Sequence, residues 1–242
     1  METASEVAAR LILDAIVDGR FPPGAPLRLQ DLSSQLGMSM MPVREAIRKL
    51  AAMDIVEMEP RRGARVRETS IEDLQDTYFS RMVLETAAIR EAASRLTPED
   101  DERATAALVE QEQAQARGDL VAARDAHERF HFALYEASGR SWLVRSILPG
   151  WRNSERYRVA TMTLQQTAPE RAREHRQMLE AVRAGDAEFA VAALSAHLRH
   201  SVDLAAASLG LPGEPEATTN GKPEDQKSVT ISQTSENSLP SP

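Results

Sequence analysis

A chain of 242 residues with 29 Lys+Arg against 37 Asp+Glu carries a formal net charge of −8, and its length suits one or two domains with a sizeable core. Aromatic residues make up only 4% while Ala, Leu, Glu and Arg recur, which is the palette of a helical protein. The absence of cysteine excludes disulfide scaffolds, thiolate nucleophiles and thiolate zinc sites, and no apolar run approaches the ~20 residues of a membrane span, so the expected setting is cytoplasmic with no membrane partner.

In chain order, Val7, Leu11, Ala15 and Ile16 fall at helical spacing, and the segment should stop before Gly19 and the breaker Phe21-Pro22-Pro23-Gly24. A short helix is predicted around Leu29 to Leu36, closed by Gly37. A third helix opens behind Ser39 as N-cap, with Pro42 suited to its first turn and an apolar stripe of Val43, Ile47, Leu50 and Ala51. Ile55 to Glu59, Pro60-Arg61-Arg62-Gly63 and Ala64 to Arg67 read as strand, turn and strand. Three helices and a basic hairpin within residues 1–68 predict a winged helix-turn-helix.

Residues 40–67 hold seven basic side chains (44, 48, 49, 61, 62, 65, 67) against four acidic ones (45, 54, 57, 59). A local positive excess inside an acidic protein suits a polyanion held on one face. Arg44 and Arg48 stand one turn apart, away from the Val43/Ile47/Leu50 stripe, as a recognition helix requires. Ser39, Met40 and Met41 at the start of that helix complete the candidate DNA-contacting face, and Lys49 is offset toward phosphate or solvent. Arg61 and Arg62 flank Gly63 at the wing tip, where a residue without Cβ lets backbone approach DNA. The plain alternative is a set of solvated charges on a small helical domain. Across about residues 5–67, Gly37-Met38-Ser39 followed by Pro42-Val43-Arg44-Glu45-Ala46 resembles the N-terminal domain of GntR-family bacterial regulators. That resemblance implies a winged helix docked in the major groove. Met40 stands where such proteins usually carry arginine, removing a bidentate reader of guanine, and Asp54 stands where they usually have glycine.

From 69 to 209 the chain is helix-like, punctuated at Thr97-Pro98, Gly118-Asp119, Ser138-Gly139, Thr167-Ala168-Pro169 and Gly185-Asp186. The expected architecture is an antiparallel bundle of six or seven helices with short loops. The remaining segment, 210–242, has five prolines, three glycines and nine Ser/Thr, too little apolar surface to fold alone, and is expected to be disordered.

The five histidines all fall in this second part. His127 and His131 are at i and i+4 and project from one face together with Ala123, Phe130 and Leu134. His175 lies on the stripe Ala172/Leu179/Val182, and His197 on Leu194/Ser201/Leu204. They stand roughly 15 and 18 Å from the Gly185-Asp186 bend at 1.5 Å per residue, so an antiparallel pair brings them to one level. Four inward imidazoles at one level are harder to explain as packing than one, and neutral imidazole suits Zn²⁺ first, with Ni²⁺, Co²⁺ and Cu²⁺ after it. His200 is turned away and secondary.

His127-Glu128-Arg129-Phe130-His131 also fits H-E-x-x-H, so a zinc-dependent hydrolase with Glu128 as base is an alternative. A second alternative is a DNA-binding dimer with no ligand site and core histidines. Residues 70–209 resemble the FCD domain of FadR-like regulators through Tyr78-x-x-Arg81-x-x-x-Glu85, Phe130-His131-x-Ala133-Leu134-Tyr135-x-Ala137-Ser138-Gly139, Glu174-His175 and His197-Leu198. That resemblance implies a metal held by His127, His131, His175 and His197, with His127 standing where metal-binding members carry aspartate. A neutral set weakens Mn²⁺ relative to Zn²⁺ or Ni²⁺. Arg81 shares a core-facing stripe with Leu74, Tyr78, Glu85 and Ile89. It either pairs structurally with Glu85 or, as the resemblance implies, grips a small organic acid, with Arg152 and Arg156 as weaker pocket candidates. Together these features predict a homodimeric, ligand-responsive transcription regulator on a palindromic operator.

Overall fold

The computed structural model describes residues 2–59, 63–162 and 168–210. Among them are nine helices and one small sheet, in the order α1 (Ala4–Val17), β1 (Pro26–Leu27), α2 (Leu29–Leu36), α3 (Met40–Ala52), β2 (Val56–Glu59), β3 (Gly63–Val66), α4 (Ile71–Ala93), α5 (Pro98–Ala116), α6 (Leu120–Glu136), α7 (Ser141–Met162), α8 (Ala168–Arg183) and α9 (Ala187–Ser208). The mostly helical class, with a winged helix-turn-helix followed by a helical bundle, is as expected from the sequence. Arg61 and Arg62, Thr167 and the segment 211–242 lie outside the described residues.

In the N-terminal part, Thr3 caps α1 through a reciprocal capping box with Glu6, satisfying amides that the first turn leaves without partners. Gly37 closes α2 in the left-handed region at φ 63°. Ser39 does precede α3, but its side chain makes no capping bond. Val43, Ala46, Ile47 and Leu50 turn inward and join Ile12, Leu13, Ile16, Leu32, Ile55 and Val66 in one apolar cluster. The strand order is β1-β3-β2, antiparallel, with Val56 opposite Val66 and Leu27 opposite Ala64. Two-residue β1 had no visible signature in the sequence. It explains Gly63: a Cβ there would sit 3.3 Å from the Leu27 carbonyl oxygen, and φ is +97°. Glycine at that position therefore has a reason internal to the sheet. Asp54 turns the chain out of α3 at φ 61°, the conformation that makes glycine the easy choice and aspartate a tolerated one.

The second part packs α4 against α7 and α9, with α5–α6 and α8–α9 as antiparallel hairpins turning at Gly118 and Gly185, both with positive φ. Its apolar cluster is built on Phe130, Leu134, Tyr135, Ile147, Trp151, Tyr157, Met178, Leu194 and Leu198. Between the two parts, the Arg156 guanidinium on α7 donates to the Arg67 carbonyl at 2.8 Å and to Asp73 at 2.9 Å, holding the connection from β3 to α4. No helix among the described residues is long and apolar enough to cross a membrane.

Candidate DNA interface and metal centre

On α3, Arg44 and Arg48 are exposed on the side opposite the core stripe, and Arg48 donates to Glu45 at 2.9 Å. Met40 and Met41 are 52% and 65% exposed, so two large apolar side chains open this helix toward solvent, beside exposed Ser39. Lys49 instead reaches back to Glu6 on α1 at 3.5 Å. Arg28, exposed at the start of α2, adds a cation to this end of the molecule that sequence reasoning did not single out.

Inside the bundle, His127 and His131 from α6, His175 from α8 and His197 from α9 meet, with ring centroids between 4.6 and 6.2 Å apart. All four are buried. One ring nitrogen from each lies within 4.8 Å of the others. Burial pushes the pKa of His127, His131 and His175 well below the ordinary histidine value, with neighbouring cations adding to the shift. Burial lowers His197 too, opposed by Glu174. The rings are therefore neutral near pH 7, the state in which imidazole ligates a metal.

Hydrogen bonds fix which nitrogen of two rings faces the cluster. The Tyr135 hydroxyl donates to Glu85 at 2.5 Å, so its oxygen accepts from His131 Nδ1 at 3.0 Å, leaving His131 Nε2 as a lone pair. Glu174 accepts from His197 Nδ1 at 2.8 Å and from His200 Nδ1 at 2.7 Å. Carboxylate-oriented histidines of this kind are the usual outer shell of a metal site. His131 Nε2 and His175 Nε2 stand 3.3 Å apart, and His175 Nδ1 is buried without a partner. Close-packed ring nitrogens with one orphan atom fit a cation better than they fit one another. The donor set is all nitrogen, borderline rather than hard, which favours Zn²⁺ or Ni²⁺ over Mg²⁺, Ca²⁺ or Mn²⁺. A cavity of about 20 Å³ lies beside the rings, lined also by Gln111, Gln115, Arg158, Arg171 and Ser201. It has room for an ion or one water.

Arg81 does not line this cavity. Its guanidinium is held by Glu85 at 2.6 and 3.2 Å and by Ser154 at 2.9 Å, with Gly150 leaving space for its stem. The cavity's arginines are Arg158 and Arg171, neither visible as a site residue in the sequence because each is brought in from another helix. Arg171 Nε is buried without a partner. Arg156 is spent on the β3–α4 connection. Arg152 binds both oxygens of Glu128 at 2.6 and 2.7 Å. That pair faces a separate groove of about 770 Å³ between α1 and the bundle. Glu128 is thus committed to Arg152, so the H-E-x-x-H spacing here lacks a free base aimed at a metal.

The first part, residues 3–66, matches the model of bacterial regulatory proteins of the gntR family, and residues 76–200 match the FCD domain. The chain is 33% identical over 199 residues to the probable D-xylose utilization operon transcriptional repressor of Paenarthrobacter nicotinovorans, covering 81% of this chain and 85% of that one. Among solved structures it resembles E. coli McbR/YncC, with a TM-score of 0.77 at 24% identity over 86% of this chain and 100% of that chain. A GntR regulator from Rhodococcus sp. RHA1 aligns with a TM-score of 0.65 at 27% identity over 85% and 97% of the two chains.

Proposed function

This chain belongs to the gntR family of bacterial regulatory proteins, in the FadR-like branch that carries an FCD domain, and from that premise we propose a repressor whose operator affinity answers to a metal ion and a small organic acid. It is a DNA-binding transcriptional regulator and not an enzyme. In this proposal residues 1–68 form the DNA-binding domain and residues 69–209 the sensory and dimerising one. Arg44 and Arg48 on α3, with Ser39, Met40 and Met41 at its start, enter the major groove of a palindromic duplex, and Arg61, Arg62 and Gly63 contact its backbone.

The observation that carries the sensory half is the meeting of four buried, neutral imidazoles with two carboxylate-anchored outer partners. His127, His131, His175 and His197 would hold Zn²⁺, or Ni²⁺, and the ion would supply a cationic anchor for a carboxylate. The unpartnered Arg171 Nε beside the same cavity would suit the other end of such an anion once the cavity, which as it stands has room for one ion or water, opened to admit it. Homodimerisation through the exposed apolar side chains of α4, Phe79 and Val83, together with Trp142, would match the symmetry of a palindromic operator.

Elemental analysis of the purified, untagged protein tests the metal: a stoichiometric transition metal in the wild type, lost in His131→Ala, is expected, and no metal after reconstitution with Zn²⁺ and Ni²⁺ would return the histidines to a core role. On a duplex selected by the protein from random DNA, Arg44→Ala should weaken binding by about 1–3 kcal/mol. Unchanged affinity in a gel-shift titration would remove Arg44 from the interface.

A further inference from the structure

His127 differs from the other three rings in what holds it. The Arg158 Nη1 group donates to His127 Nδ1 at 2.7 Å. A guanidinium only donates, so His127 keeps its own proton on Nε2. A metal can take His127 in either of two ways. Through Nε2, the ring must carry its proton on Nδ1, which then cannot accept from Arg158. Through Nδ1, the ion needs the place Arg158 now fills. In both cases metal ligation by His127 and the Arg158–His127 hydrogen bond exclude each other.

Arg158 is also the first link in a line of charges leading out of the bundle. Its Nε and Nη2 donate to the two oxygens of Glu155 at 3.0 and 3.1 Å. Glu155 Oε2 lies 4.0 Å from Arg124 Nε on α6, and Arg124 Nη2 donates to Asp14 on α1 at 2.6 Å. Arg124 also has Asp18, which caps the C-terminus of α1, at 3.8 Å. Glu155 and the Arg124 side chain are both largely buried, so these charges are poorly screened. Around them α1 borders the 770 Å³ groove, which separates much of it from the bundle. Asp14 is therefore a principal polar tie between the first helix of the winged part and the bundle.

We infer that Arg158 is a metal-displaced switch: an ion taking His127 expels Arg158, and the change passes through Glu155 and Arg124 to Asp14 on α1. The element with two states is the Arg158 guanidinium, on His127 or off it. Displaced from the ring and repelled by the ion, it engages Glu155 differently, which alters the field in which Arg124 divides between Glu155 and the carboxylates of Asp14 and Asp18. The orientation of α1, and with it α3 packed against it, then depends on whether the histidine cluster is loaded. This rests on the metal-binding reading above and adds the direction in which that site speaks to the DNA-binding part.

Competition gives a sign that a purely structural arginine would not. Removing Arg158 should tighten metal binding, because the ion no longer has to break a hydrogen bond or approach a cation, whereas loss of a supporting residue would loosen it. Zn²⁺ and Ni²⁺ affinities are measured by competition with a chelating dye for the wild type and Arg158→Met. The variant is expected to bind about tenfold tighter or more, the scale of one hydrogen bond to a charged group. Equal or weaker binding overturns the competition. The relay is tested on the selected duplex with and without Zn²⁺: the wild type should change operator affinity on loading, and Arg124→Met should bind Zn²⁺ normally while losing that change. Asp14→Asn, which breaks the tie from its other end at a more exposed position, should behave the same. An unchanged zinc effect in both variants overturns the relay alone, whereas a wild type that binds no metal overturns this inference and the metal-binding reading together.

Discussion

At the scale of single residues, the Arg81–Glu85 pair shows how the bundle interior holds opposite charges together. Arg81 is 4% exposed and Glu85 fully buried, and the pair is tied further by Ser154 and Tyr135. Arg81→Met leaves Glu85 as an uncompensated buried carboxylate, and a loss of about 3–5 kcal/mol is expected in urea unfolding. A loss under 1 kcal/mol would mean that the pair is not buried as described. The four buried histidines give the metal-free protein a pH dependence of definite sign. Facing them are Arg81, Glu85, Tyr135, Arg158, Arg171 and Glu174. Their folded pKa values are lowered, so below about pH 6.5 the unfolded chain binds protons that the fold refuses. Their contribution to stability is present above that pH and is lost as pH falls, at up to about 1.4 kcal/mol per pH unit for each ring. Urea midpoints from pH 7.5 to 5.5 should therefore slope more steeply in the wild type than in a His131→Ala, His175→Ala variant.

At the scale of elements, helix ends were the most legible features and side-chain partners the least. Thr97-Pro98 announces a start, and the structure puts Thr97 at the N-cap of α5 in a capping box with Asp100 and Pro98 in the first turn. Thr97→Ala should cost about 1 kcal/mol in thermal or urea unfolding. No change would mean that solvent satisfies those amides equally well. Gly37, Gly118 and Gly185 likewise end or join helices where the sequence marked them, all with positive φ. By contrast β1 is two residues long, its position set by pairing with β3 rather than by any alternation of its own. The capping role expected of Ser39 is not taken up by its side chain, although the helix begins there.

At the scale of the molecule, an apolar strip runs along one side of the bundle. Phe79 and Val83 are one turn apart on α4 and 68% and 54% exposed, and Trp142, 78% exposed, borders a depression together with Ala87 of the same helix. Exposed side chains this large on α4 and α7 are where the proposed homodimer would join. If the proposed homodimer forms there, Phe79→Asp with Val83→Asp should leave a monomer in sedimentation velocity and weaken binding to the proposed palindromic operator, which rewards two linked heads. An unchanged dimer would move the interface elsewhere. The same scale governs the groove between α1 and the bundle, where Asp14, Arg124, Glu128 and Arg152 place charges from both parts of the chain on facing walls.

Local periodicity and punctuation were enough, from the amino-acid sequence, to place the helices, the basic hairpin and the shared level of His127, His131, His175 and His197. Helix rise and turn position are local quantities, and two antiparallel arms of nearly equal length can only meet at one height. What each charged side chain does with its neighbours was decided by the tertiary structure alone. Arg81 could hold Glu85 or a ligand, Glu128 could serve a metal or Arg152, and His127 could ligate a metal or stand under Arg158. Each choice turns on a few ångströms between helices, a distance fixed by how their apolar faces interlock and not by the spacing of residues along any one of them.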